Sequence, residues 1–162
     1  MNYPLDAFKT VVPSQAPSGT LFRCQGVWAI KADPVQIQGQ EVGQMLMLDG
    51  RYPGAVAVAP DREALALADG YDWMVFTDLI AVAVHAQHLP AVRITPNGPL
   101  IYGHAWGRRD VLMAVTQGGQ HLEEAGYDFF IQNFSIWLVD DAKRQVGSHP
   151  LVRVSTPAPA LL

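Results

Sequence analysis

The chain has 162 residues, a formal net charge of −4, 16% charged residues and 49% hydrophobic ones. That length suits one domain with a real core, burying roughly 70% of the surface the unfolded chain exposes. Its eleven basic residues are scattered, with Arg108-Arg109 and Lys143-Arg144 the only adjacent pairs, which excludes the electrostatic footprint of a nucleic-acid binder.

The charged share falls below the usual value of about 25%. With few charges to cover its surface, part of the exterior is expected to meet another protein, so a homo-oligomer or a protein partner is expected. Cys24 is the only cysteine, which rules out an intrachain disulfide. Met1-Asn2-Tyr3-Pro4 lacks the basic start and apolar run of a secretory signal. The longest apolar run, Leu79 to Val84, falls far short of the roughly 20 residues that span a bilayer. A soluble cytoplasmic protein without membrane contact is expected.

Residues 1–19 carry Pro4, Pro13 and Pro17 and read as an extended N-terminal arm. A single α+β domain is expected over 20–155, and 156–162 reads as a flexible tail. Leu21 to Ile30 alternates as one strand, with Phe22, Cys24 and Trp28 on a common face. Gln44 to Leu48 and Ala55 to Ala59 flank a turn-rich link and predict an antiparallel hairpin. Ala64 to Ala68, Asp69-Gly70 and Tyr71 to Phe76 predict another, with a helix from Asp61 to Asp69 capped by Gly70 as the competing reading.

From Thr77 onward the spacing changes. Ile80, Val84 and His88 stand four apart and predict a helix over 78–88, closed by Pro90. Ala91 to Trp106 reads as a hairpin turning at Asn97-Gly98. Val111, Val115 and Leu122 predict a second helix over 110–125, although Gly118-Gly119 inside it cost about 1 kcal/mol each against alanine. Phe129 to Val139 is the longest strand candidate. Asp140 to Lys143 turns it back toward Arg144–Gly147, and Leu151 to Val154 closes the sheet. The expected architecture is a mostly antiparallel, meandering sheet with the two helices packed on one face.

The segment from Gly103 to Asp110 is the leading candidate site. A strand that passes through two glycines into a helix start brings free N–H groups together with Arg108, Arg109, His104 and Trp106. Such a loop suits a small anionic ligand. Asp78 and His85 are the acid or base candidates that the same rim would recruit. The loop lacks the Gly-Lys-Ser/Thr ending of a phosphate loop and the three-glycine dinucleotide fingerprint. His85 and His88, with His121 near Glu123 and Glu124, invite a metal, but no zinc spacing is present and no His-Glu-x-x-His occurs. No metal and no cofactor are expected.

Two functional readings follow. The first is a non-enzymatic interaction or assembly protein that self-associates. The second is a small-molecule or anion binder, or an enzyme, working through 103–110. The residues do not decide whether the chain is an enzyme.

Overall fold

The computed structural model describes residues 3–77, 82–83, 90–95, 98–105, 108–116, 119–124 and 130–155. Fifteen strands run along them: β1 (Phe8–Val11), β2 (Leu21–Cys24), β3 (Val27–Ile37), β4 (Gln40–Met47), β5 (Val56–Val58), β6 (Ala64–Leu67), β7 (Tyr71–Phe76), β8 (Val82–Ala83), β9 (Ala91–Thr95), β10 (Gly98–Ala105), β11 (Arg108–Thr116), β12 (Gly119–Glu124), β13 (Phe130–Ile131), β14 (Phe134–Asp140) and β15 (Val152–Val154). They form three antiparallel sheets, in the orders β1-β6-β2-β3-β4-β5, β12-β11-β10-β9-β13-β8 and β15-β14-β7. The second sheet is built from an excursion of the chain between the neighbouring strands β7 and β14.

The expected α+β class is therefore wrong. Among the described residues the only helical element is a single 3-10 turn at Leu5–Ala7. Where a helix was expected over 110–125, β11 and β12 form a hairpin with Thr116 opposite Gly119. The run Val111-Leu112-Met113-Ala114-Val115 is apolar at every position, so helical and strand periods both fit it. Strand pairing decides, since Val111 to Thr116 pair residue by residue with Glu124 to Gly119. Within the helix expected over 78–88, Val82 and Ala83 pair with Ile131 and Phe130, and the rest lies outside the described residues. Ile80, Val82 and Val84 are β-branched at alternate positions, a strand signal hidden by the four-residue spacing.

Smaller corrections concern turns. Leu21 to Ile30 is two strands, because Gln25 and Gly26 both take positive φ (52° and 83°) and close a two-residue hairpin between Cys24 and Val27. The same device recurs at Gln38-Gly39 between β3 and β4. This puts Trp28 on the face opposite Phe22 and Cys24. The strands at Ala64 and Tyr71 do form, but they do not pair with each other. β6 enters between β1 and β2, and β7 pairs with β14. The hairpin of 91–106 forms with Thr95 opposite Gly98, so its connection is 96–97. The expected strand of 129–139 is divided between β13 and β14, and β14 lies at the centre of its sheet.

The first and third sheets face each other across the main core. Leu21, Trp28, Ile30 and Leu46 meet Trp73, Phe134, Ile136 and Leu138 there, while β9 and β10 contribute Val92 and Ile101. Removing any of these large side chains leaves a cavity worth about 2–5 kcal/mol. The Trp73 indole N–H donates to the Gly19 carbonyl at 3.3 Å, so its polar end is satisfied in the core. Gly103 locks the second sheet against the first. A Cβ there would lie 2.1 Å from Leu46 Cδ1 and 2.7 Å from the Gly54 carbonyl oxygen.

Alternate residues of the first sheet are buried on its other face as well. Phe22, Ala29, Ala64 and Ala66 form a second apolar cluster with Val11, Cys24 and Met45. The sheet rolls to cover them. The segment after β1 and the segment after β5 belong to its opposite edges, yet the Ser14 N–H donates to the Pro60 carbonyl at 3.2 Å. The small alanine side chains fit the narrow interior of that roll.

Candidate functional site

The structure changes the setting of the 103–110 segment. Ala105 pairs with Arg108, so β10 and β11 are antiparallel neighbours, with a register shift between His104 and Ala105. No helix start stands behind Arg108 and Arg109, whose backbones lie in β11. The partial positive charge expected of a helix N-terminus is therefore lost. Trp106, Asp78 and His85 lie outside the described residues. His104 is half-buried, and its N–H donates to the Gly54 carbonyl at 2.9 Å. Its Nδ1 is buried without a hydrogen-bond partner among the described residues. Among those same residues no three His, Cys, Asp or Glu side chains gather as a metal site.

A different group of polar residues converges at one end of the rolled sheet. Lys31 lies on β3 two residues beyond Ala29, on the face lined by the alanine cluster. It is only 3% exposed. Its position is fixed through the backbone: the Lys31 N–H donates to the Thr20 carbonyl at 2.9 Å, and the Lys31 carbonyl accepts from Gly19 at 2.8 Å. Just beyond it, Asp33 and Pro34 of β3 together face the single residue Gly43 of β4, so the ladder is interrupted between Ala32 and Val35. Proline has no N–H to give a ladder and suits such a bulge.

The interruption opens a cavity of about 530 Å³ walled by Lys31, Gly43, Glu41, Ser14 and Asp61. Gly43 makes room for the amine, since a Cβ on it would lie 2.8 Å from Lys31 Nζ. The same Cβ would lie 3.6 Å from the Ser14 carbonyl oxygen, which places Ser14 and the amine on adjoining walls. The Ser14 hydroxyl is buried without a hydrogen-bond partner among the described residues. The Ser18 hydroxyl is occupied, donating to Asp33 Oδ1.

The Lys31 amine makes no hydrogen bond or ion pair within the described residues. Burial pulls it below the ordinary lysine pKa, and the Asp33 and Glu41 carboxylates, acting at longer range, offset part of that effect. A desolvated ammonium without a close partner is costly, so the neutral amine gains ground. Lys31 was missed in the sequence because the alternating strand was ended at Ile30. The signal was present as a lysine between Ile30 and Ala32, in a run of otherwise apolar residues.

Comparison with protein-family models, curated proteins and solved structures finds no match for this chain.

Proposed function

We propose that the protein is a non-enzymatic interaction or assembly protein whose partner is a second copy of the same chain. One observation carries this reading, the uncharged outer edge of β5. A strand edge offers a row of unpaired N–H and C=O groups to any chain that fits, and proteins commonly guard such edges with charge. The edge strands β1, β7, β12 and β15 carry Lys9, Asp72, Glu123 and Arg153 respectively. β5 is Val56-Ala57-Val58 and carries no charge, and the two-residue edge strand β8 (Val82–Ala83) carries none either. Beside it, Val58 is 50% exposed and Tyr52, in the β4–β5 connection, is 58% exposed. The Arg51 guanidinium sits 5.3 Å from the centre of the Tyr52 ring, an arrangement common where aromatic and arginine side chains anchor interfaces. Two copies related by a two-fold axis would bring equivalent edges together.

The strand of 134–140 takes no part in this contact, because it is central and buried. No helix of the described residues is long and apolar enough to cross a membrane. The reading places the protein in the cytoplasm, where its lone Cys24 needs no disulfide partner. The anion-binding reading of 103–110 has lost the helix start that supported it.

Light scattering coupled to size exclusion tests the proposal. The chain is expected at a multiple of 17.7 kDa, and Tyr52→Glu combined with Val58→Lys is expected to shift it to a single copy. A single-copy mass for the unaltered chain at every concentration overturns the reading.

A further inference from the structure

We propose that the cavity behind Gly43 is a binding site for a small uncharged aldehyde or ketone, whose carbonyl oxygen accepts from the Ser14 hydroxyl on entry and which is then held as an imine on the ε-amine of Lys31. The inference does not depend on self-association.

Three observations bear on it together. The cavity's volume lies within the roughly 300–1,000 Å³ usual for small-molecule sites. Lys31, only 3% exposed, and Ser14 both line it; among the described residues the Lys31 amine has no hydrogen bond or ion pair and the buried Ser14 hydroxyl has no hydrogen-bond partner. A lysine buried for structural reasons alone normally finishes in an ion pair or a set of hydrogen bonds, which this one lacks among the described residues. The charges on the walls decide the ligand class. Glu41 and Asp61 line the same space, and Asp33 acts on the amine, so an anion would have to settle among carboxylates. An uncharged carbonyl compound meets no such repulsion. A buried amine with diminished basicity is also the state in which lysine acts as a nucleophile.

The chemistry balances without an oxidant or reductant. The Lys31 nitrogen lone pair attacks the carbonyl carbon, forming the C–N bond, and the carbonyl π pair passes to oxygen. A proton moves from nitrogen to that oxygen to give the carbinolamine. Nitrogen then gives up its remaining proton and forms the second bond to carbon as the hydroxyl leaves with that proton as water. The net change is the loss of one water.

The chain has only three lysines, at 9, 31 and 143, so the test is clean. The full-length protein is treated with butanal and cyanoborohydride at neutral pH, and alkylated peptides are mapped by mass spectrometry. Lys31 is expected to be labelled at least about tenfold faster than the exposed Lys9 and Lys143, an advantage that disappears in urea. Ser14→Ala is expected to slow labelling at Lys31 several-fold and leave Lys9 unchanged. Labelling of Lys31 no faster than that of Lys9 and Lys143 overturns the proposal. So does a rate at Lys31 that inorganic phosphate suppresses, because that outcome marks an ammonium site for anions.

Discussion

Replacing Gly103 with alanine adds one methyl group at the point where the second sheet presses on the first. The added carbon would sit 2.1 Å from Leu46 Cδ1, against the 3.5–4.0 Å of a comfortable carbon contact. Leu46 is fully buried in the main core and has little room to turn aside. The Gly54 carbonyl oxygen, 2.7 Å from the same point, is backbone and is held by the His104 N–H. Overpacking of this kind costs about 1–3 kcal/mol, and two obstructions, one of them backbone, place Gly103→Ala at the upper end. For a chain of this size, about 3 kcal/mol lowers the melting temperature by about 6–12 °C. Gly26→Ala is the control, since nothing lies within 4 Å of its Cβ and only the positive φ of 83° opposes it. It is expected to cost about 1 kcal/mol. Thermal and urea unfolding followed by circular dichroism measure both. On a Leu46→Ala background the cost of Gly103→Ala is expected to shrink without vanishing, because the Gly54 oxygen remains. The reasoning fails if Gly103→Ala melts no lower than Gly26→Ala.

Lys31→Met is expected to raise the melting temperature at pH 7. Its advantage should shrink as the pH climbs toward the ordinary lysine value of 10.5, because a pKa lowered by folding makes the protonated state the costly one; an advantage that does not vary with pH would exclude this origin. Asp140 accepts from the Arg144 N–H at 2.9 Å and from Arg144 Nε at 2.8 Å, and these bonds hold its carboxyl below the ordinary 3.8. Its contribution is therefore complete at neutral pH and fades as the pH falls below about 4, so Asp140→Asn should lower the melting temperature at pH 7 and change it little at pH 3. Ile136→Ala should cost about 2–5 kcal/mol in urea unfolding, since Ile136 is fully buried between β7 and β15; a cost below 1 kcal/mol would contradict the central placement of β14.

Strand content was legible wherever apolar and polar residues alternate, as from Gln44 to Leu48 or Tyr71 to Phe76. Partnership between strands was not. Ala64–Leu67 and Tyr71–Phe76 are joined by a turn ideal for a hairpin, and the Tyr71 N–H does bond to the Ala68 carbonyl at 3.1 Å. The two strands nevertheless bury different faces against different sheets. Burial across the whole molecule overrode local turn chemistry there. At 111–115 every residue is apolar, so period alone carries no information, and a glycine such as Gly119, which costs a helix about 1 kcal/mol, is accepted in β12 opposite Thr116. The candidate site suffered in the same way. His104, Arg108 and Arg109 drew their interest from a helix start that does not form, whereas Lys31 became visible only when β3 was seen to run on to Ile37 past a bulge.

The insertion of the second sheet between β7 and β14 also constrains synthesis. Ser135 pairs with Phe76 across a separation of 59 residues, so β7 leaves the ribosome long before its neighbour exists. Until then Trp73 has no third-sheet partner to pack against, and closing so long a loop is slow. Nascent chains halted before residue 134 should bind chaperones and be cut readily by proteases near residues 71–76.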